Sequence, residues 1–132
     1  HSEHPVNLAV LKETIEECKK LGIVSVVCVE SLDQAKKIAS FRPSAIAFED
    51  PVIIGTGKSI TKTKPRDIAH FVKMLKGKPT VPLCGAGIST IDDVKAAYAL
   101  GCKGVLIASA IVNAKRPELF LEKLGKREEV IY

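Results

Sequence analysis

Four short, unbroken apolar runs, separated by segments of helical periodicity, constrain this chain more than any other feature. They cover residues 23–29, 45–48, 81–84 and 105–108. Each run is continuous rather than alternating, the pattern of strands buried on both faces of a parallel sheet. Residues 6–21 place Val6, Val10, Ile15 and Cys18 near one helical face, and Gly22 supplies a C-terminal stop. Residues 32–41 turn Leu32, Ala35, Ala39 and Phe41 broadly inward. A helix over 65–75 opens with proline, whose fixed φ suits a first turn. Another over 90–100 starts at a threonine cap, carries Asp92 and Asp93 in its first turn and meets Gly101 at its end. A last helix is predicted over 117–124, before Gly125 and a charged tail expected to fray.

The order is a helix, then strand–helix four times. That alternation implies right-handed crossovers and an α/β fold on one parallel sheet. No linker divides the chain, so residues 1–132 read as one unit. Four parallel strands with a helix after each are half of an eight-stranded barrel, and alone they leave a raw strand edge on each side. Because the sequence also opens on His1-Ser2-Glu3, without methionine or a preceding strand, a fragment or split subunit is expected.

Charge and cysteine usage exclude several classes. Hydrophobic residues make up 46% and charged residues 27%, enough apolar content for a core and too much for disorder. No apolar run approaches the roughly 18 residues of a membrane span, and no signal-peptide pattern is present, so a cytosolic location is expected. Cys18, Cys28, Cys84 and Cys102 form no C-x-x-C pair, and His1, His4 and His70 lie at no zinc-like spacing from them. No metal and no disulfide framework is expected, and Cys28 and Cys84 read as small core residues. The net charge of +5 is spread over predicted helices (Lys12, Lys19, Lys20, Lys36, Lys37, Lys95) as solvated faces. With two tyrosines, no tryptophan and no basic run of five, nucleic-acid binding is not supported.

Three turns at strand ends carry the chemistry, where parallel α/β folds place their sites. The first runs from Phe48 through Glu49 and Asp50 to Ile54-Gly55-Thr56-Gly57-Lys58-Ser59. A carboxylate ends an apolar strand and a Gly-containing loop follows; a general base and a solvated acid both fit. A P-loop does not: G-x-x-x-x-G-K-S needs glycine where Val52 stands, and residues 60–65 (Ile-Thr-Lys-Thr-Lys-Pro) are poor helix. The second turn, Cys84-Gly85-Ala86-Gly87-Ile88-Ser89-Thr90, suits an anion at a helix N-terminus, and equally a tight turn with a cap. A dinucleotide fingerprint would need a third glycine at Thr90. The third, Gly104 to Ala110, offers small residues for close ligand approach or for helix packing. Paired phosphate turns after the last two strands of a barrel are a recurring arrangement, and these two turns stand in that relation.

Taken together these residues resemble the triosephosphate isomerase family in its archaeal, short-chain form. Glu49 with Ile54-Gly55-Thr56-Gly57 and Lys64-Pro65 is similar to the catalytic-glutamate loop. Leu83 to Thr90 with Asp93-Val94-Lys95 is similar to one phosphate turn, and Gly104 to Ser109 to the final strand and turn. His1-Ser2-Glu3 resembles the histidine motif after the fourth strand, and Val26-Val27-Cys28 the fifth strand. The resemblance implies a (βα)8 TIM-barrel of which this chain is the C-terminal half. It also implies interconversion of dihydroxyacetone phosphate and D-glyceraldehyde 3-phosphate by the complete enzyme, the segment alone being inactive. In the division of labour known for that family, Glu49 is the base and His1 the neutral electrophile. The lid spans residues 50–59; Ile54, Gly55, Gly87, Ala108 and Ser109 form the phosphate rim, and Glu3 supports from behind. No cofactor or metal is implied; the partners implied are a triose phosphate and further copies of the complete chain. Asp50 departs from the family's usual proline at the first hinge, Ala110 from a usual glycine, and His4-Pro5 from a basic stretch. The family's catalytic lysine and its neighbouring asparagine belong to a first strand outside these residues. Two other readings remain: a non-catalytic phosphate-binding half-barrel, and another sugar-phosphate barrel enzyme, which would want a Schiff-base lysine at a strand end. His4 and His70 receive no role.

Overall fold

The computed structural model describes His1 and residues 4–125. The expected supporting carboxylate Glu3 and the charged tail beyond Gly125 lie outside the described residues. Four strands form one parallel sheet in the order β1-β2-β3-β4: β1 (Val26–Val29), β2 (Ala45–Phe48), β3 (Val81–Cys84) and β4 (Gly104–Val105). In register, Val29 stands opposite Phe48 and Phe48 opposite Cys84, while Cys84 pairs with Val105. The carboxyl ends are therefore level, and the loops that leave them gather at one rim.

The helices are α1 (Leu8–Lys20), α2 (Leu32–Ala39), α3 (Ile60–Thr63), α4 (Pro65–Leu75), α5 (Ile91–Ala99), α6 (Ser109–Val112) and α7 (Pro117–Gly125). The side chains of Asn7, Ser31 and Thr90 accept from the first-turn N–H groups of α1, α2 and α5, satisfying donors that a helix start leaves open. Helix α4 buries Ile68, Phe71 and Leu75, one face at i, i+3 and i+7. Phe71 meets Phe48 of β2 with ring centroids 5.5 Å apart. Every residue of β2 is buried, the condition under which its unbroken apolar run is stable.

Four expectations are corrected. In α1 only Ile15 is buried, whereas Val6 and Val10 are exposed and Cys18 is half-buried. The helix meets the core through Ile15 and the partly buried Leu11 rather than along the expected stripe. The first strand begins at Val26, because the Ile23 N–H closes on Cys18 O (2.8 Å) to end α1 and leaves Val24 in solvent. Residues 60–65, read as poor helix, do form the single turn α3. Ser59 caps it, and burial of Ile60 and Thr61 overrides weak propensity. Cys84 is buried as expected, but Cys28 is half-buried, because the face of β1 that carries Val26 and Cys28 is less covered than that of Val27 and Val29.

Candidate active site

Glu49 is the first residue beyond β2, and its N–H donates to Val29 O of β1 (2.8 Å), so the strand ladder carries on under it. The side chain turns in rather than out: the residue is 5% exposed, and its Oε2 has no hydrogen-bond partner among the described residues. A buried polar oxygen left without a partner costs about 1–3 kcal/mol even when neutral, so such an atom asks for a reason, a catalytic role among them. Gly85 of the neighbouring turn makes room for it. A Cβ there would lie 2.7 Å from Glu49 Oε1, closer than real side chains approach.

The segment after Glu49 is a short one. Asp50 caps a 3₁₀ turn at Pro51–Ile53, Ile53 tucks into the core, and Gly55 and Gly57 both take positive φ (75° and 74°) on the way to Ser59. Its far end is fixed to the turn after β3. Ile60 N–H donates to Ala86 O (3.1 Å), and Gly87, at φ 67°, lies so near Lys58 O that a Cβ would meet it at 1.8 Å. The 49–59 loop and the 85–90 turn thus form one body at the root.

Asp93 holds that body from below. Almost wholly buried at 1% exposure, its Oδ2 accepts from Ser89 N (3.2 Å) and Thr90 N (3.1 Å), while Thr90 Oγ1 accepts from Asp93 N in return. This is a capping box with aspartate in the third helical position. Asp93 Oδ1 takes an ion pair from Lys62 Nζ of α3 at 2.8 Å. Burial alone pushes the Asp93 carboxyl up, but the Lys62 ammonium, then the Ser89 N–H and the Thr90 hydroxyl and N–H, bring it down to about 2. Cys28 lies against Glu49 from β1. Burial, then the Glu49 charge and a hydrogen-bonding contact with that carboxylate, push its thiol up to about 11.

All seven residues singled out from the sequence line one cleft of about 500 Å³: His1, Glu49, Ile54, Gly55, Gly87, Ala108 and Ser109. The amino group of His1 also lies beside Cys28. Sequence reasoning missed Ala86, Ser89 and Gly57 as lining residues. Ala86 carried a signal only in retrospect, its φ of 72° being unusual without glycine. His70 is exposed on α4. Among the described residues no three His, Cys, Asp or Glu side chains come together as a metal cluster would require.

The fold class follows from this arrangement and from solved structures that share it. A FabK variant from Thermotoga maritima superposes with a TM-score of 0.65 at 17% identity, covering 93% of this chain and 40% of its own. An N-acetylmannosamine-6-phosphate 2-epimerase from Clostridium perfringens gives 0.63 at 15% identity, with 87% and 48% covered. At such identities the likeness concerns the fold alone. Level parallel strands, each followed by a helix, with a ligand-sized cleft at their carboxyl ends, define half of a (βα)8 barrel. A family-level sequence model described as "Triosephosphate isomerase" matches residues 1–124. Curated triosephosphate isomerases of Methanobrevibacter smithii and Methanocaldococcus jannaschii are 46% and 41% identical to it, each match covering 96% of this chain and 58% of the relative. That of Sulfolobus acidocaldarius is 39% identical, covering 96% of this chain and 55% of the relative. The chain belongs to the triosephosphate isomerase family and spans a little over half the length of these relatives.

Proposed function

We propose that this chain supplies the proton-transferring and phosphate-binding part of an isomerase that interconverts dihydroxyacetone phosphate and D-glyceraldehyde 3-phosphate. The observation that carries this is Glu49 Oε2: a buried carboxylate oxygen at a strand end, without a hydrogen-bond partner among the described residues, in the cleft where Gly55, Gly87 and Ser109 also lie. Glu49 takes the proton from one substrate carbon and returns it to the adjacent carbon, and the electron pair rests meanwhile on an enediolate. His1, in the same cleft, faces the substrate oxygens where that charge develops. The small and glycine residues at 54–55, 87 and 108–109 let backbone approach the phosphate, and closure of residues 50–59 excludes water. The family relationship supports a triose phosphate as substrate, a cytosolic location and assembly of complete chains into a homo-oligomer. No helix among the described residues is long and apolar enough to cross a membrane. The family's lysine lies outside this stretch, so the reaction belongs to the protein at its natural length.

The test is a coupled isomerase assay on glyceraldehyde 3-phosphate with the natural-length protein, wild type beside Glu49→Gln. Turnover falling roughly 10²–10⁴-fold with little change in KM supports the assignment, that being the usual contribution of a positioned base. Phosphate-ligand binding without turnover in the wild type would replace it with a non-catalytic, phosphate-binding half-barrel.

A further inference from the structure

Asp50 is one of the residues that depart from the family pattern, and its side chain is fully employed. The residue is 8% exposed. Oδ1 accepts from Val52 N (3.0 Å), which organises the first turn of the lid, and Oδ2 lies 2.9 Å from Lys64 Nζ. Lys64 stands beyond the far end of the lid, at the joint between α3 and α4, with φ −131° and ψ 46°. Neither residue belongs to the interior of a helix or strand, so both are places where the backbone can turn. Lys64 is itself well held: its N–H donates to Ile60 O (2.9 Å), its carbonyl accepts from Ile68 N (3.1 Å), and α3 is tied to the 85–90 turn through Ile60 and Lys62. The ion pair therefore links a fixed point to the one hinge that lies directly beside Glu49.

We propose that Asp50 and Lys64 form a clasp that ties the first hinge of the lid to the helical joint beyond its far end, restrains its opening and so fixes the orientation of Glu49. Both are positioning residues, since neither lines the cleft. The pair is half sheltered, Lys64 being 37% and Asp50 11% exposed in their side chains, which protects it from screening better than a surface pair. The Lys64 ammonium, more than the Val52 N–H, also holds the Asp50 carboxyl below its usual range, so the clasp is charged at neutral pH. Pro51 already stiffens the backbone just beyond the hinge residue, and the ion pair adds an electrostatic tie to that covalent ring. Unlike a ring, the tie can release and re-form as the lid moves.

The catalytic side of this proposal rests on the isomerase reading above; the lid restraint does not, so two readouts separate them. In the natural-length protein without substrate, amide hydrogen exchange of residues 52–58 is measured for wild type, Lys64→Met, Asp50→Asn and the double variant. Each single change is expected to speed exchange about 5-fold, equivalent to about 1 kcal/mol, and the double variant no further than either single one. Isomerase kinetics of the same set are expected to show kcat reduced several-fold, with recovery in Lys64→Arg, which keeps the charge. Unchanged lid exchange in Lys64→Met, or fully additive effects in the double variant, overturns the clasp. A wild-type protein that shows the exchange signature but no isomerase activity supports the clasp and overturns the isomerase reading instead.

Discussion

Gly87→Ala tests whether the lid root and the turn after β3 are one body. The alanine Cβ would sit 1.8 Å from Lys58 O and 2.5 Å from Lys58 C, against a closest real approach of 3.0 Å. Backbone must therefore yield by about 1.2 Å, because neither neighbour is the free end of a side chain. The φ of 67° adds about 1–2 kcal/mol for an L-residue in the left-handed region. Separation of the two segments also breaks the Ile60–Ala86 hydrogen bond, worth about 1 kcal/mol. The sum is about 3 kcal/mol, a fall in Tm of roughly 6–12 °C for a domain of 150–250 residues. A root displaced by about 1 Å should in addition lower kcat/KM about 10²-fold through misplacement of Glu49. The control is Gly77→Ala, where φ is 78° but no atom lies within 4 Å: it carries the conformational strain without the collision. Thermal unfolding and isomerase kinetics of both variants decide the matter. If Gly87→Ala and Gly77→Ala lose the same stability, the contact between turn and lid root has no energetic content and the reasoning fails.

Gly85→Ala should leave Tm within a few degrees yet lower kcat more than KM rises, since its Cβ meets Glu49 Oε1 at 2.7 Å and the flexible carboxylate is what gives way; steady-state kinetics measure this. Asp93→Asn should cost about 2 kcal/mol at pH 7, the value of a carboxyl lowered from 3.8 to about 2. The pKa is depressed on folding, so the stabilisation is complete above about pH 4 and disappears as the pH falls through 2; urea unfolding at pH 7 and pH 2.5 should show the difference between wild type and variant shrinking. Cys28, with its thiol at about 11, should be alkylated by iodoacetamide about 10³-fold more slowly at pH 8 than as full thiolate, with the rate rising tenfold per pH unit, as peptide mass spectrometry can follow. Phe71→Ala should remove about 3–5 kcal/mol by emptying the space against Phe48 without touching the cleft.

What the sequence made legible was whatever its chemistry expresses locally. The second and third strands stand where their apolar runs do; β2 is buried on both faces as its continuous run implies, whereas β3 is fully buried only at Cys84 and leaves Val81 exposed. The seven cleft residues were legible through the likeness of their motifs to a known family; spacing alone left Glu49 open between a base and a solvated acid and gave His1 no role. Features that depend on partners distant in the chain were not. The Ser25 and Ser44 hydroxyls, each accepting from the other residue's N–H at 3.1 Å, bind the start of β1 to the start of β2 and have no local signature. The last strand pairs only through Gly104–Val105, although Leu106 N–H still reaches Cys84 O (2.9 Å), because hydrophobicity does not reveal where a ladder stops. Likewise nothing local in the sequence pairs Lys62 with Asp93 or Lys64 with Asp50; only the fold brings them to these two buried aspartates.

The common direction of the strands has a consequence for symmetry. Because they all run the same way in the order β1-β2-β3-β4, the β1 side and the β4 side are unlike, as the ends of a magnet are. A two-fold axis that set β1 beside another β1 would make that pair antiparallel. Parallel continuation must therefore join β1 to something with the character of β4, as further strands of one barrel do. The twist of these four strands sets part of the curvature by which such a barrel closes. A change that flattened them would strain that closure as well as the local packing.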